Sequence, residues 1–443
     1  MRKHLFCLIL ASPLFLAAQG IDLEQAIAIA KENNRSIVNA AVDIQIARQK
    51  RWETIAIGLP QISLSAGYAN ALQQPTSLIP AEFFGGQAGE FSEVVFGTEQ
   101  SANAGLRLEQ LLFDGSYLVG LQASEIYLRI SKQAFVKTEQ AIAQATVDAY
   151  VNALLSKAQL TVFEQNLSTA QNNLNDIKVI YENGLTEKEN VQQLELTVLS
   201  LKSGLLYTKQ MAEVAENVLR YVMGIDLDAP LNLSSTLEGL ALQSQEKLPN
   251  TLDVNANINF QMAENNIRVK ELLLKLERFK SMPKISAYLS GGYDGYNQSF
   301  NFTEPEQNWY GRANFGVTIN VPIFSSLQSQ AKRQQAKLAL KQSENQAIDV
   351  AQKLLLEESK LRNEVQFNLS NVQTLAQNLA LATEIERKNQ LKFKEGLASS
   401  FELRQAQTQL YQAQNNYLSS MQQLVISKKK LSLLLNPINS KEK

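Results

Sequence analysis

The chain is written twice. Leu59-Pro60-Gln61-Ile62-Ser63 returns as Met282-Pro283-Lys284-Ile285-Ser286, and Leu106-Arg107-Leu108 through Phe113 returns as Val317-Thr318-Ile319 through Phe324. Tyr181-Glu182-Asn183-Gly184-Leu185 returns as Phe393-Lys394-Glu395-Gly396-Leu397. The echoes keep their order at offsets of about 210 to 220 residues. Self-similarity is a strong constraint, because whatever one copy forms the other must form too. Each half reads helix, strand, loop, strand, long helix, turn, shorter helix.

The strands alternate with the period of a sheet that has two unlike faces. Ile62, Leu64, Ala66 and Tyr68 oppose Ser63, Ser65 and Gly67, while Ala102, Ala104, Leu106 and Leu108 oppose Asn103, Gly105, Arg107 and Glu109. In the second half Ile285, Ala287, Leu289 and Tyr293 oppose Ser286, Tyr288 and Ser290. There too Ala313, Phe315, Val317 and Ile319 oppose Arg312, Asn314 and Thr318. Each run is about ten residues, the length of a tilted membrane strand. The pattern predicts a lipid-facing row that includes Ile62, Leu64, Leu106, Leu108, Ile285, Leu289, Phe315, Val317 and Ile319. Arg107, Glu109 and Arg312 would then point into a lumen, in salt bridges. A soluble sheet packed on a core would show the same alternation in any one strand.

Two segments, 116–183 and 325–395, contain no proline and almost no glycine. Each would span on the order of 100 Å as one helix, far beyond the globular norm of about 11 residues. Heptad columns identify them as coiled-coil struts. Leu121, Leu128, Phe135, Ile142 and Ala149 are spaced by sevens. After the first turn Val191, Val198, Leu205, Ala212 and Leu219 run beside Leu194, Leu201, Thr208, Ala215 and Val222. After the second, Leu403, Leu410, Tyr417, Leu424 and Leu431 run beside Ala406, Ala413, Ser420, Ser427 and Leu434.

The predicted segmentation is a secretory signal at 1–18 and a first repeat at 19–249. That repeat holds a helix from Ile21 to Ile57, strands at 60–70 and 102–113, helices at 116–183 and 185–223, and a linker at 224–249. The second repeat, 250–443, holds a helix at 251–281, strands at 284–294 and 312–324, helices at 325–395 and 397–435, and a tail. Arg2 and Lys3 before the apolar run from Leu5 to Ala18 carry the signal reading. Cys7 and His4, the only residues of their types, fall inside that signal. Cleavage would leave a chain without thiol or imidazole, which removes Cys- and His-based catalysis, disulfides and almost every zinc site. No catalytic residue, cofactor or metal site is expected. A net charge of −1 gives no footprint for nucleic acid. Beyond the signal no apolar stretch reaches about 20 residues, so a membrane could be entered only as a barrel.

Four strands cannot close one, since the smallest bacterial barrels have about eight. Three chains would give about twelve and two about eight, with the long helices of all chains on one side. The fold expected is an α+β membrane protein. The competing reading is a structural periplasmic coiled coil without a barrel.

Over nearly all of its length after the signal, the chain resembles the TolC-like outer-membrane efflux proteins. The resemblance rests on the twofold repeat and the Leu59-Pro60-Gln61-Ile62-Ser63 strand start. It rests also on Leu112-Phe113-Asp114-Gly115 before a long helix, Val321-Pro322-Ile323-Phe324 in the second copy, and the glycine turns. It implies a homotrimer with a 12-stranded outer-membrane barrel and a periplasmic helical tunnel. The tunnel would dock on an adaptor (membrane fusion) protein carried by an inner-membrane pump, in a tripartite efflux or type I-like export system; the cargo stays open. It further implies that the turns Gly184-Leu185-Thr186 and Gly396-Leu397-Ala398, at the far end of the helices, meet the adaptor. Glu402 and Gln405 fall where relatives carry acidic residues around a closed aperture. Gln405 departs from that pattern, and Glu384 or Glu386 on the preceding helix would share the role. A solvated helix face is the plainer reading of Glu402.

Overall fold

The computed structural model describes residues 20–242 and 251–436. The proposed signal, the end of the linker and the tail lie outside the described residues. In chain order the elements are α1 (Leu23–Asn33), α2 (Arg35–Ala56), β1 (Gln61–Asn70), β2 (Thr76–Pro80), β3 (Phe91–Val95), β4 (Gln100–Asp114), α3 (Gly115–Glu182) and α4 (Lys188–Met223). Then come α5 (Leu237–Leu242), α6 (Ile258–Phe279), β5 (Lys284–Asn297), β6 (Trp309–Asn320), α7 (Gln328–Lys394) and α8 (Ser400–Leu435). These form two compact units that cut across the repeats: one holds 45–129 and 265–344, the other the remaining described residues.

The first unit is built on an antiparallel sheet in the order β1-β4-β5-β6, so each repeat supplies one adjacent pair of strands. A register shift between Leu111 and Phe113 brings Phe113 opposite Ile285. This bulge turns Phe113 onto the face that simple alternation from Leu108 would deny it. A second, two-stranded sheet, β2–β3, occupies the connection from β1 to β4, where the sequence pattern shows only a loop. Leu78, Phe83, Phe84, Phe91 and Phe96 are exposed on and around it.

The second unit is helical. α3 runs unbroken for 68 residues and α7 for 67. One core gathers Leu23 and Ala26 of α1, Tyr150 and Leu154 of α3, Leu219 and Met223 of α4, and Leu424 and Val425 of α8. Tyr150 is fully buried and donates its hydroxyl to the Ile21 carbonyl (2.8 Å), fixing the strand-like contact of Ile21 with Leu233. A second core joins all four helices of the two hairpins through Ala170, Leu174, Ile177, Leu194, Phe393 and Leu403.

Several boundaries differ from the sequence expectation. The helix predicted at 251–281 starts only at Ile258, after a short 3-10 turn (Val254–Ala256), where the Asn257 side chain accepts from Asn259 N–H (2.9 Å). The helix predicted from Ile21 to Ile57 is two helices broken at Asn34, whose backbone is extended (ψ 125°). The Asn34 side chain accepts from Ser36 N–H (2.9 Å) and donates to the Val222 carbonyl (2.7 Å). A short amide side chain that caps one helix and ties it to another offers more than helix continuation does. α5 rises in the unpatterned linker. The strand predicted to Phe324 stops at Asn320, because Pro322 has no N–H to give a ladder.

Candidate functional site: one strand face and two helix turns

Register settles which residues share a face. Ile62 pairs with Leu108, Leu108 with Leu289, and Leu289 with Phe315. Leu64 pairs with Leu106, Ala287 with Val317, and Ile285 with Ile319. All nine residues of the predicted apolar row therefore lie on one face, and seven of them are exposed, Phe315 at 74% and Leu64 at 71%, while Leu108 and Ile285 are half-buried.

The opposite face is polar and internally paired. Arg107 lies 3.7 Å from Glu109 and 4.3 Å from the centre of the Tyr288 ring. Arg312 pairs with Asp294 at 2.9 Å. Gly316 has no side chain, and the Tyr288 ring lies over the space that a Cβ would take. The charges foreseen at Arg107, Glu109 and Arg312 are thus fixed in ion pairs on one surface.

The two helix turns have the same construction. Gly184 adopts φ +74°, with Gly184 N–H on Tyr181 O (2.8 Å) and Leu185 N–H on Ile180 O (3.1 Å). Gly396 adopts φ +72°, with Gly396 N–H on Phe393 O (3.1 Å) and Leu397 N–H on Lys392 O (2.7 Å). This double bond closes a helix through a left-handed residue, which glycine adopts without steric cost. Leu185 and Leu397 stand out, 79% and 74% exposed, while Thr186 and Ala398 are half-buried. Thr186 Oγ1 accepts from Asn190 (2.9 Å).

Side-chain bonds tie one hairpin to the other. Ser400 Oγ bridges Asn190 Oδ1 and Gln193 Oε1, Gln390 donates to Asn173 Oδ1 (3.0 Å), and Asn166 donates to Gln414 Oε1 (2.8 Å). Lys394 reaches Asp176 at 3.2 Å.

Glu402 has a local task that its candidate role in an aperture did not reveal. It is the third residue of α8, and its carboxylate accepts from Ser399 N–H (2.8 Å) while Ser399 Oγ receives Glu402 N–H (3.3 Å). The Ser399 backbone bond, then the hydroxyl bond, hold its carboxyl below the usual range. Ser399-Ser400-Phe401-Glu402 carries the S-x-x-E signature of such a cap, so this was readable beforehand. Gln405 is exposed. Glu384, half-buried, is held at about 2 by hydrogen bonds first from Arg387 and then from Lys388. Glu386 does not join them: it is only 8% exposed, sealed between helices. A buried carboxyl cannot line an aperture, which corrects the share in that role expected for it. Its signal was the heptad column Leu379, Glu386, Phe393, which places it in a seam.

An apolar strand face that stays largely exposed, a polar opposite face, and helices several times the globular length define a class. It is that of outer-membrane barrel proteins with long periplasmic helices. No described helix is long and apolar enough to cross a membrane. The chain belongs to the outer membrane efflux protein family, whose model matches residues 26–225 and 254–437, one stretch in each repeat. It is similar to the outer membrane protein TolC of Vibrio cholerae, 20% identical over 410 residues that cover 90% of this chain and 86% of the relative. The structure of CusC matches with TM-score 0.73 at 19% identity, covering 93% of this chain and 91% of CusC. The Neisseria gonorrhoeae MtrE outer membrane channel, in its open state, matches with TM-score 0.72 at 18% identity, covering 93% and 88%. The chain is accordingly an outer-membrane efflux channel protein, of a family of channels and not of enzymes, and the barrel-free coiled-coil reading is set aside.

Proposed function

We propose that three copies of this chain share one barrel of about twelve strands and form the passive exit duct of a tripartite efflux or type I-like export system. One observation carries the reading: β1 and β6 are free edges of a sheet whose apolar face is largely exposed. In lipid an open edge leaves backbone groups without partners, so the edges must meet edges of further copies. Apolar stripes on the helices support the same assembly. Leu196, Leu199, Leu206, Val214 and Val218 of α4, with Leu355, Leu356 and Phe367 of α7, are exposed in the single chain.

In this reading Ile62, Leu64, Leu106, Leu108, Ile285, Leu289, Phe315, Val317 and Ile319 face lipid. The exposed turns at Gly184-Leu185-Thr186 and Gly396-Leu397-Ala398 take the adaptor that links the duct to an inner-membrane pump. Glu402, exposed and ionised beside Gln405, contributes charge at the aperture.

Mass measured in detergent should give three chains, and a stable monomer would overturn the shared barrel. Leu106→Arg should block assembly, at about 2–4 kcal/mol per chain for a charge at mid-membrane, while Asn103→Arg should be tolerated. Equal effects would mean the faces are reversed. Photo-cross-linkers at Leu185 and Leu397 should capture an adaptor in cells, and Glu402→Lys should shift conductance towards anions. An unchanged selectivity would leave Glu402 as a helix cap alone.

A further inference from the structure

Among the described residues, the seam between α7 and α8 buries a carboxyl that makes no ion pair. Glu386 is 8% exposed and sits one heptad before Phe393, itself 8% exposed. From α8 it faces Gln407 and Tyr411. Gln407 is 1% exposed, and neither its amide oxygen nor its amide nitrogen completes a hydrogen bond of good geometry, although it lies close enough to act on the carboxyl. The Glu386 charge raises the Tyr411 phenol further above the range to which burial has already pushed it.

The cations of this neighbourhood are committed elsewhere. On α7 itself Arg387 and Lys388 hold Glu384, Lys394 holds Asp176 of α3, and Lys392 acts on Glu402. On α8 Arg404 lies over the Phe401 ring. From α3 the polar group at this level is Asn173, which accepts from Gln390, one turn along from Glu386. Burial raises the Glu386 carboxyl, the Gln407 amide opposes this in part, and no charged side chain contributes.

A carboxylate sealed without a counter-charge is costly, whereas a carboxylic acid is an ordinary hydrogen-bond donor. Gln407 Oε1 is an acceptor without a donor. One proton from solvent satisfies both groups.

We propose that Glu386 is a proton-operated latch in the α7–α8 seam: protonated, it donates to Gln407 and the seam closes dry; ionised, it draws water in and the seam loosens beside the Gly396 turn. For a carboxyl raised by folding, the packed state binds more protons than the opened one. Packing is therefore firmest below the ordinary glutamate range and weakens as pH rises through the raised value. The Glu402 cap has the opposite sign and a lower window, since its carboxyl is lowered, so the two effects separate along the pH axis. The latch would make opening of the duct sensitive to pH at the tip, a consequence that rests on the duct reading above.

The test is hydrogen exchange of the full-length trimer in ester-free detergent, between about pH 5 and about pH 8, corrected for intrinsic exchange rates. Amides of 382–393 and 403–411 should lose protection with rising pH, by at most about tenfold per pH unit for one proton. Amides around Leu194 in the α3–α4 seam serve as the internal control and should not follow. Glu386→Gln, neutral at every pH, should be flat. A flat wild type, or a Glu386→Gln variant with the wild-type slope, overturns the latch. Should that variant fail to assemble, the infrared band of the protonated carboxyl in the wild type decides. It must titrate above the ordinary glutamate range, and a band confined to that range overturns the proposal. Single-channel recording separates latch from duct: opening frequency should rise with pH in the wild type only. Exchange that moves while opening does not leaves the latch standing and removes its control of the duct.

Discussion

At Gly184 and at Gly396 the chain makes the same turn with the same pair of backbone bonds, yet the seams that rise from the two turns differ. Below Gly184 the seam packs Leu174 and Ile177 against Val191, Leu194, Val198 and Leu201, an apolar column whose buried polar neighbours, Asn173, Asn166 and Thr208, carry no titratable group. Below Gly396 the column runs through Phe393 and Leu403 and then, farther from the turn, buries Glu386 and Gln407. The caps differ too. α4 starts at Glu187 without any side-chain cap bond, whereas α8 starts with the reciprocal Ser399–Glu402 pair. Duplication thus kept the backbone geometry and let the seam chemistry diverge. The first seam is held by apolar burial, which is indifferent to pH, while the second adds to its own apolar contacts a polar layer whose strength depends on protonation.

The largest expected effect probes the apolar half of that contrast. Leu194 and Leu403 are both fully buried, one in each hairpin. Leu194→Ala should cost about 2–5 kcal/mol of local stability, read as exchange of α3 and α4 amides. Leu403→Ala should cost less, because the polar layer beside it admits water into the space. Equal losses would mean that both seams are dry. Next in size are the turns themselves: Gly184→Val and Gly396→Val should each cost about 1–2 kcal/mol for a left-handed β-branched residue. Neither left-handed glycine has a neighbour near its missing Cβ, so the two values should agree closely. Unequal values would show that the turns are not equivalent.

The smallest effect separates the caps. Ser399→Ala should cost about 1 kcal/mol at the start of α8, with no counterpart for Glu187→Ala at the start of α4. The cap also has a pH signature. Ser399 lowers the Glu402 carboxyl, so its stabilisation is complete above the ordinary glutamate range and disappears as pH falls through the lowered value. Acid should therefore fray the start of α8 and leave α4 untouched, as exchange at the first amides of each helix would report. Fraying of both would make it a general acid effect.

The sequence by itself determined the repeat, the two long helices, the glycine turns and the two faces of the sheet. Each is a local periodicity, and the residues that carry it are separated by two, seven or about 210 positions. Strand alternation also fixes the parity of any pairing, because a slip by one residue would turn every apolar side chain over. The tertiary structure alone decided three other matters. The β1-β4-β5-β6 order joins the repeats edge to edge, and no periodicity states which strands are neighbours. The bend at Asn34 depends on the Val222 carbonyl 188 positions away. The fate of the acidic residues was the least legible. Glu384, Glu386 and Glu402 are one residue type within 19 positions, yet one is a surface ion pair, one is sealed in a seam and one caps a helix. What a carboxylate does is set by the dielectric around it and by which donors reach it, and packing, not sequence, supplies both.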